Sequence, residues 1–366
     1  MQLAPQKLSS TIWKHFLAGA ALSIDGELGG IYITRKYVLA SRTYEDFPIA
    51  AQKPHEALSE NALDSLEIEK FNINPRDPTR AIHDAIDWLG GKEQPPQAVG
   101  VGCYGPFLSL KRGKHYGELK AFQGPLKHEN LFELVREGFG KKIADENIIV
   151  QTDVAVSALG EAFSRMNFNS PKGRLDFDDV LVYLLFSEGV GGSFVQKLTI
   201  WSGRHHPEMG QIPVHMHSAD RPMASDDRLK RVSSYRLQNL ASELAFKKRL
   251  NLQPFDPFPT RLTDREDRRA MFVQASYIAQ LCASATYSIA PSMIILSGDM
   301  LRIEGMLQAV RSYFEAFMLS EENGYYSFYD DMQREGGFIC YPSIAEPGIL
   351  GTLCIAAKSI REQLEF

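Results

Sequence analysis

The chain has 366 residues, of which 44% are apolar, so it is long enough to form two or three domains with sizeable cores. Its formal net charge is −5, which gives no overall positive field for nucleic acid or for an anionic membrane surface. The four cysteines are scattered and form no CxxC pair, which predicts buried thiols. The sequence shows no signal-peptide pattern and no apolar run near the ~18 residues of a membrane span, so we expect a cytoplasmic protein.

A hairpin is predicted near the start of the chain. Residues Gly19–Ile24 form a short apolar run, the segment Asp25–Gly30 (DGELGG) follows, and Ile31–Ser41 reads as a second strand. Glycine permits a tight turn and a close approach of the backbone to a ligand. The pattern therefore predicts that the chain turns at Gly26–Gly30, with Gly29 and Gly30 in the turn.

A helix and a strand follow. In the helix, predicted over Pro78–Leu89, the apolar residues recur at helical spacing. The strand, Ala98–Cys103, leads into Tyr104-Gly105-Pro106. Gly105 and Pro106 are compatible with a ligand-contacting loop and also with a plain tight turn.

An acidic residue follows the next predicted strand. The apolar run Ile148–Val150 leads to Thr152 and Asp153, and a helix is predicted over Val154–Phe163. The carboxyl end of a strand is where α/β sheets present ligand sites, so Asp153 is a candidate catalytic residue. The alternative is that Asp153 only caps the helix.

The segment Asp178–Val214 contains a second candidate hairpin. A buried strand is predicted over Val180–Phe186, three glycines (Gly189, Gly191 and Gly192) follow, and a second apolar run covers Ser193–Trp201. The glycines predict either an ordinary β-turn or a turn that brings backbone N–H groups close to a ligand.

The remaining motifs are simpler. Glu208 stands in the probable loop HPEMGQ, and His215 and His217 follow it. A long helix is predicted over Asp264–Ile289, where core packing explains the apolar stripe. After this helix the sequence predicts a strand, a glycine turn and two further helices. They are Met293–Leu296, Ser297-Gly298-Asp299, Leu301–Phe317 and a terminal helix at GILGTLCIAAKSI.

Six of these motifs, in this order, resemble those of the ROK family of sugar kinases and its bacterial fructokinase-like branch. They are GELGG, GCYGP, TDVAVSALGE, GVGG followed by HPEMG, IILSGDM, and YPSIAEPGILGTLCIAA. The resemblance covers nearly the whole chain. It implies an α/β fold of the actin-like ATPase (ribonuclease H-like) type, with two lobes and a ligand cleft between them. Residues 1–124 plus 347–366 would form the smaller lobe, and 125–346 the larger lobe with sugar-binding and dimerisation elements.

The resemblance also implies an activity. It implies an ATP- and Mg²⁺-dependent hexose (fructose-like) kinase that phosphorylates a sugar 6-hydroxyl, acts as a homodimer and has no nucleic-acid or membrane partner. Asp153 matches the general base, which takes the hydroxyl proton. The implied sugar-binding residues are Gly105, Pro106, Thr152, Asp153, Glu208, Gln211 and Gln238. The implied nucleotide-binding residues are Gly29, Gly30, Gly189, Gly191, Gly192 and Gly298.

Several positions depart from the family pattern. Ile31 stands where the first turn normally carries threonine, and Ser187-Glu188-Gly189 replaces Gly-Thr-Gly in the second. A carboxylate about 6 Å from a phosphate charge costs roughly 3 kcal/mol at an effective dielectric constant near 20, which is about a hundredfold in affinity. A second hypothesis is therefore a catalytically impaired sugar-binding sensor or scaffold. A ROK transcriptional repressor is disfavoured, because about 20 residues before the first predicted strand are too few for a helix-turn-helix.

The family's zinc cluster is also altered. Gln211 replaces its histidine, Arg236-Leu237-Gln238 replaces Cys-Leu-Glu, and no cysteine lies between Met209 and Ser242. Zinc needs about four Cys or His ligands, and His215 and His217 alone are more typical of surface residues. The sequence therefore predicts no structural zinc.

Overall fold

A computed structural model describes residues 28–43, 66–91, 95–120, 126–167, 175–202, 207–220, 235–318 and 337–364. These residues group into two compact units. The first takes its described residues from Met1–Phe177, Leu198–His206 and Ser343–Phe366, and the second from Asp178–Lys197 and Pro207–Pro342. The predicted lobes divide the chain at different residues, and that lobe assignment stays a prediction.

The first unit is built on a five-stranded sheet with the strand order β3-β2-β1-β4-β5. Its strands are β1 (Leu28–Ile33), β2 (Tyr37–Thr43), β3 (Leu66–Asn72), β4 (Ala98–Cys103) and β5 (Ile148–Thr152). β1 pairs with β2 antiparallel and with β4 parallel, and β4 pairs with β5 parallel. Three neighbouring strands therefore end at the same edge of the sheet.

Four helices belong to this unit: α1 (Arg80–Gly90), α2 (Leu131–Gly138), α3 (Asp153–Asn167) and α8 (Pro347–Leu364). The predicted apolar face of α1 is confirmed, since Ile82, Ala85, Ile86 and Leu89 are all buried. These side chains pack into a core together with residues of β1, β2, β4 and β5.

Helices α3 and α8 pack closely through glycines. A Cβ atom at Gly160 would overlap the carbonyl oxygen of Pro347, and one at Gly351 would overlap the carbonyl oxygen of Val156. Each helix thus presents a glycine to the backbone of the other. Any larger residue at either position would force the two helices apart.

The second unit is built on a mixed sheet of parallel and antiparallel strands. Its strands β6 (Val180–Phe186), β7 (Val190–Gln196), β9 (Met293–Ser297) and β10 (Ile339–Cys340) have the order β10-β9-β6-β7. A two-residue strand, β8 (Thr199–Ile200), follows β7 in the chain. β6 pairs with β7 antiparallel and with β9 parallel, which repeats the pairing of β1 with β2 and β4.

Its helices are α4 (Leu237–Ala241), α5 (Glu243–Arg249), α6 (Arg265–Ile289) and α7 (Met306–Met318). The predicted long helix is confirmed, and Asp264 caps it by accepting from the N–H groups of Glu266 and Asp267. Its apolar stripe is buried in the core of this unit. No helix in the described ranges combines the length and hydropathy that a bilayer crossing requires.

Two predictions of secondary structure need correction, and a third is not tested. The predicted strand Ile31–Ser41 is two strands, because the polar residues Thr34, Arg35 and Lys36 interrupt it and form the turn. The predicted helix over Leu301–Phe317 begins only at Met306, after a short 3₁₀ turn. The predicted strand over Gly19–Ile24 lies outside the described residues.

Candidate active-site residues

The first-unit candidates lie where β4 and β5 end. Cys103 and Thr152 are paired in register, and Gly105, Pro106 and Asp153 follow within three residues of that pair. A cis peptide bond joins Gly105 to Pro106. The fold therefore brings Gly105, Pro106, Thr152 and Asp153 to one edge of the sheet, where α/β proteins present ligand sites.

Asp153 and Thr152 divide the capping of α3 between them. Thr152 Oγ1 accepts a hydrogen bond from Ala155 N at 3.2 Å, three residues on, which is the usual capping bond. Asp153 Oδ1 accepts from the adjacent Val154 N at 2.8 Å. Thr152 therefore makes the usual capping bond of α3, and the role of Asp153 stays a prediction.

Charges at this edge act on the buried thiol of Cys103. Burial raises the pKa of Cys103 well above its ordinary value, and the charge of Asp153 raises it further. The backbone N–H of Tyr104 and the charge of Arg35 lower it. Arg35 and Asp153 thus both lie within electrostatic reach of one sulfur atom.

The predicted first glycine turn was placed at the wrong residues. Gly29 and Gly30 lie inside β1, where they pair with Val99 and Gly100 of β4. A Cβ atom at Gly30 would overlap the Thr352 hydroxyl of α8, so packing accounts for this glycine. The nucleotide-binding role of Gly29 and Gly30 stays a prediction, but the turn on which it depended lies at Thr34–Lys36.

The second hairpin is confirmed, but its turn is at Ser187–Gly189 and its second strand is Val190–Gln196, so the predicted turn at Gly191 and Gly192 and the predicted strand Ser193–Trp201 are wrong. Ser187 N donates to Gly189 O at 2.9 Å, and Glu243 N, at the start of α5, donates to Ser187 O at 2.7 Å. Glu188 is exposed at the tip of this turn. Gly191 and Gly192 lie within β7 and pair with Leu185 and Leu184.

Two of the predicted sugar-binding residues contact each other directly. Gln211 Nε2 donates to Gln238 Oε1 at 3.3 Å, and Arg236 Nη1 donates to Gln211 Oε1 at 3.0 Å. A Cβ atom at Gly189 would lie 3.5 Å from Gln238 Oε1, so this amide pair is next to the second turn. Glu208 is exposed and precedes the 3₁₀ turn that contains Gln211.

Gly192 and Gly298 have packing roles of their own. A Cβ atom at Gly192 would overlap the sulfur of Met209. Gly298 has a φ of 139°, and a Cβ atom there would overlap the carbonyl oxygen of Phe186 at the end of β6. Only glycine fits a positive φ at so close an approach. Gly298 thus holds the end of β9 against the start of the second turn.

A partly buried polar network ties His217 and Asp220 to α5 and α6. Arg249 donates to both Asp220 oxygens, at 3.2 and 2.8 Å, and Tyr277 OH donates to Asp220 Oδ2 at 2.7 Å. Burial, followed by this bond to Asp220, raises the pKa of Tyr277 above its ordinary value. Tyr277 OH also accepts from His217 N at 3.1 Å, which ties His217 to α6.

The two candidate metal ligands, His215 and His217, have different surroundings. His215 is exposed, and its backbone pairs with the side-chain amide of Gln280. His217 is partly buried; its Nδ1 accepts from Ala219 N and its Nε2 lies 3.3 Å from Tyr313 OH. Among the described residues no three His, Cys, Asp or Glu side chains are grouped as metal ligands. The expected absence of zinc stays a prediction.

The ROK family model matches residues 51–338, which is most of the chain. The chain belongs to the ROK family. A curated relative, the fructokinase of Lactococcus lactis subsp. cremoris, is 25% identical over 282 residues, which cover 77% of this chain and 85% of that protein.

Solved structures of other ROK proteins share the fold. The ROK hexokinase of Thermus thermophilus superposes with a TM-score of 0.60 at 16% identity, covering 92% of this chain and 99% of that one. A ROK family glucokinase from Streptomyces griseus, in complex with glucose and AMPPNP, gives 0.56 at 16% identity, with coverages of 91% and 100%. A ROK family transcriptional regulator, a homologue of the E. coli MLC protein, gives 0.59 at 13% identity, with coverages of 92% and 79%. The chain therefore has the predicted actin-like ATPase fold.

Sequence reasoning missed Arg35 and Arg236. Arg35 lies within the predicted strand Ile31–Ser41, although three polar residues between the apolar runs IYI and YVLA are a turn signal. Arg236 was considered only as the replacement of a family cysteine. Its contact with Gln211 depends on the pairing of Pro213 with Arg236, a tertiary contact between distant segments that no local pattern predicts.

Proposed function

We propose that this ROK protein is an ATP-dependent hexose kinase that phosphorylates the 6-hydroxyl of a fructose-like sugar. The observation that supports this best is Asp153, a carboxylate at the carboxyl end of β5 beside Thr152 and the Gly105-Pro106 loop. A carboxylate at such an edge can accept a proton from a bound hydroxyl. The fructokinase of L. lactis and the glucokinase complex with AMPPNP support sugar and nucleotide as ligands.

In the proposed reaction the sugar 6-hydroxyl oxygen attacks the γ-phosphorus of ATP. The bond between that phosphorus and the β–γ bridging oxygen breaks, ADP leaves, and the hydroxyl proton passes to the Asp153 carboxylate. Phosphoryl transfer depends mainly on positioning and on stabilisation of charge. Glu208, Gln211 and Gln238 are the proposed sugar contacts of the second unit. Gly189, Gly191, Gly192 and Gly298 are its proposed nucleotide contacts.

Mg²⁺ is proposed to bind together with ATP. Protein-bound Mg²⁺ usually keeps several waters and takes one or two carboxylates plus the substrate phosphates, so it needs no cage of protein ligands. Glu188, at the tip of the second turn, is a carboxylate that could contact it. When bound, Mg²⁺ would neutralise phosphate charge and reduce the repulsion from Glu188.

The second candidate, a sugar-binding protein with impaired catalysis, is favoured by Glu188 itself. An exposed carboxylate at a predicted phosphate turn opposes nucleotide binding unless a cation offsets it. We also propose that the protein, as a kinase, is a cytoplasmic homodimer with no nucleic-acid or membrane partner. Light scattering of the purified chain tests the oligomeric state.

The deciding experiment measures ADP release by the purified full chain with ATP, Mg²⁺ and fructose, glucose or mannose. We expect sugar-dependent ADP release, with fructose the best substrate, and a 6-phosphate product identified by ³¹P NMR. Sugar binding by calorimetry without any phosphorylated product would instead support the impaired binder.

A further inference from the structure

The turn between β1 and β2 lies at the same edge as Asp153. Ile33 is paired with Cys103, and Cys103 with Thr152, so these three residues end neighbouring parallel strands in register. The turn residues Thr34, Arg35 and Lys36 therefore follow β1 at the level where Asp153 follows β5. The parallel strand ends bring a basic turn and an acidic residue to one place.

Arg35 is held at this edge by an aromatic ring. Its guanidinium carbon lies 5.3 Å from the centre of the Tyr104 ring, and Tyr104 directly follows β4. Guanidinium groups stack on aromatic faces and bind phosphate oxygens through the N–H groups at their edges. The charge of Asp153 raises the pKa of the Cys103 thiol and that of Arg35 lowers it, as expected for two charges near that sulfur atom.

The Thr34 side chain forms hydrogen bonds with backbone groups of this turn. Thr34 Oγ1 accepts from Lys36 N at 3.2 Å and from Tyr37 N at 3.0 Å, and donates to Tyr37 O at 2.9 Å. The N–H groups of Lys36 and Tyr37 are therefore already bonded within the turn. These two N–H groups are engaged, which favours recognition of an anion by a side chain of this turn.

We propose that Arg35 is the side chain with which this edge binds a phosphate group. The inference rests on the proposed kinase function, and Arg35 is a catalytic residue for phosphoryl transfer where the bound phosphate is that of the donor. The phosphate has two possible sources, the phosphoryl donor or a phosphate already carried by the acceptor sugar. Both present the same oxygens to a guanidinium group.

The turn offers a matched control. Lys36 is adjacent, exposed and of the same charge, so Lys36→Gln removes one positive charge from the turn without touching the Tyr104 stack. Arg35→Gln removes the charge and the donor fork, whereas Arg35→Lys keeps the charge but loses the fork and the planar stack on Tyr104. Thermal unfolding of each variant verifies that the fold is intact, and Arg35→Lys serves if Arg35→Gln fails to fold.

Binding is measured by calorimetry with ATP, with inorganic tripolyphosphate and with a hexose phosphate. We expect Arg35→Gln to raise the Kd of a phosphate ligand about 30- to 100-fold, Arg35→Lys several-fold and Lys36→Gln less than threefold. Unphosphorylated fructose should bind equally well to all four proteins. In turnover assays kcat should fall about 10²-fold for Arg35→Gln, with the KM for sugar little changed.

The ligands distinguish the sources. If Arg35→Gln weakens the binding of ATP and tripolyphosphate but not that of the hexose phosphate, the bound phosphate is that of the donor. If it weakens only the binding of the hexose phosphate, the bound phosphate is that of a phosphorylated acceptor. Equal effects of Arg35→Gln and Lys36→Gln, or no phosphate binding by the natural protein, would overturn the inference. Sugar phosphorylation that survives Arg35→Gln overturns only the role of Arg35. Arg35-dependent phosphate binding without sugar phosphorylation overturns only the kinase function.

Discussion

The two units carry hairpins of the same design but with opposite charges at their turns. In each unit an antiparallel hairpin has its first strand paired in parallel with the next strand of the sheet. The first hairpin turns at Thr34-Arg35-Lys36 and the second at Ser187-Glu188-Gly189. One turn is basic and closed by a threonine side chain, and the other is acidic and tied to α5 by a backbone bond.

This difference separates what the topology fixes from what the residues fix. Strand pairing places both turns at the carboxyl end of a parallel strand, whatever their sequence. The side chains then decide which ligand charge each turn tolerates. The proposed role of Arg35 favours phosphate at the first turn, whereas Glu188 would disfavour it at the second unless a cation is present.

The largest expected effect comes from the first-unit edge. Asp153→Asn keeps the shape of the side chain but removes the proton acceptor, so kcat should fall about 10²- to 10⁴-fold. Sugar affinity by calorimetry should change less than threefold. A variant that retains more than a tenth of the natural kcat would exclude Asp153 as the base, and the first edge would lose its catalytic role.

The support of the second turn is tested by Gly298→Ala. The added methyl group would meet the Phe186 carbonyl at a φ of 139°, so the free energy of unfolding should fall by about 3 kcal/mol. Gly305→Ala is the control, because its φ is also positive, at 86°, but its nearest neighbour is Met271 Cε at 3.8 Å. It should cost about 1 kcal/mol in urea denaturation. Equal losses would mean that the contact with Phe186 contributes nothing.

The acidic turn is tested by Glu188→Thr. Removal of the carboxylate should tighten ATP binding roughly ten- to a hundredfold, measured by calorimetry with Mg²⁺ held constant. Glu188→Asp keeps the charge and should leave the Kd within threefold of the natural value. If neither variant alters ATP affinity or turnover, Glu188 does not face phosphate, and the contrast in charge between the turns has no bearing on the nucleotide.

The smallest effect is expected at the closure of the basic turn. Thr34→Val replaces the hydroxyl with a methyl group of similar size, and leaves the Lys36 and Tyr37 N–H groups without their acceptor. Stability should fall by about 1 kcal/mol. Thr34→Ser keeps the hydroxyl and should lose less than half of that. Greater loss with serine than with valine would show that the methyl group, and not the hydrogen bonds, holds the turn.

Much of the fold was predictable because periodic segments signal their own structure. β4, β5, β6 and the long helix α6 lie where the sequence predicts them, each a clear apolar run or stripe bounded by turn or capping residues. The first hairpin was displaced because Gly29 and Gly30 look like a turn. Packing explains them instead, since Gly30 lies against Thr352, more than 300 residues away in the chain, and Gly29 lies against Pro96 and Val99.

The candidate site was predictable in part for the same reason. Asp153 stands at a strand-to-helix junction, which the local sequence reveals. The contact between Gln211 and Gln238 and the stacking of Arg35 on Tyr104 join residues that are distant in sequence. Such contacts follow from strand order and side-chain packing, so no local pattern contains them.

The close packing of α3 and α8 through glycines also bears on when the first unit can finish folding during synthesis. The first unit begins its sheet with β1, but the helix that packs against Gly30, Gly100 and Gly160 is made from residues 347–364. During synthesis, β1 to β5 and α3 emerge from the ribosome long before α8 does. The apolar, glycine-lined surface that α8 covers in the finished fold is therefore exposed, or transiently protected, while the whole second unit is translated.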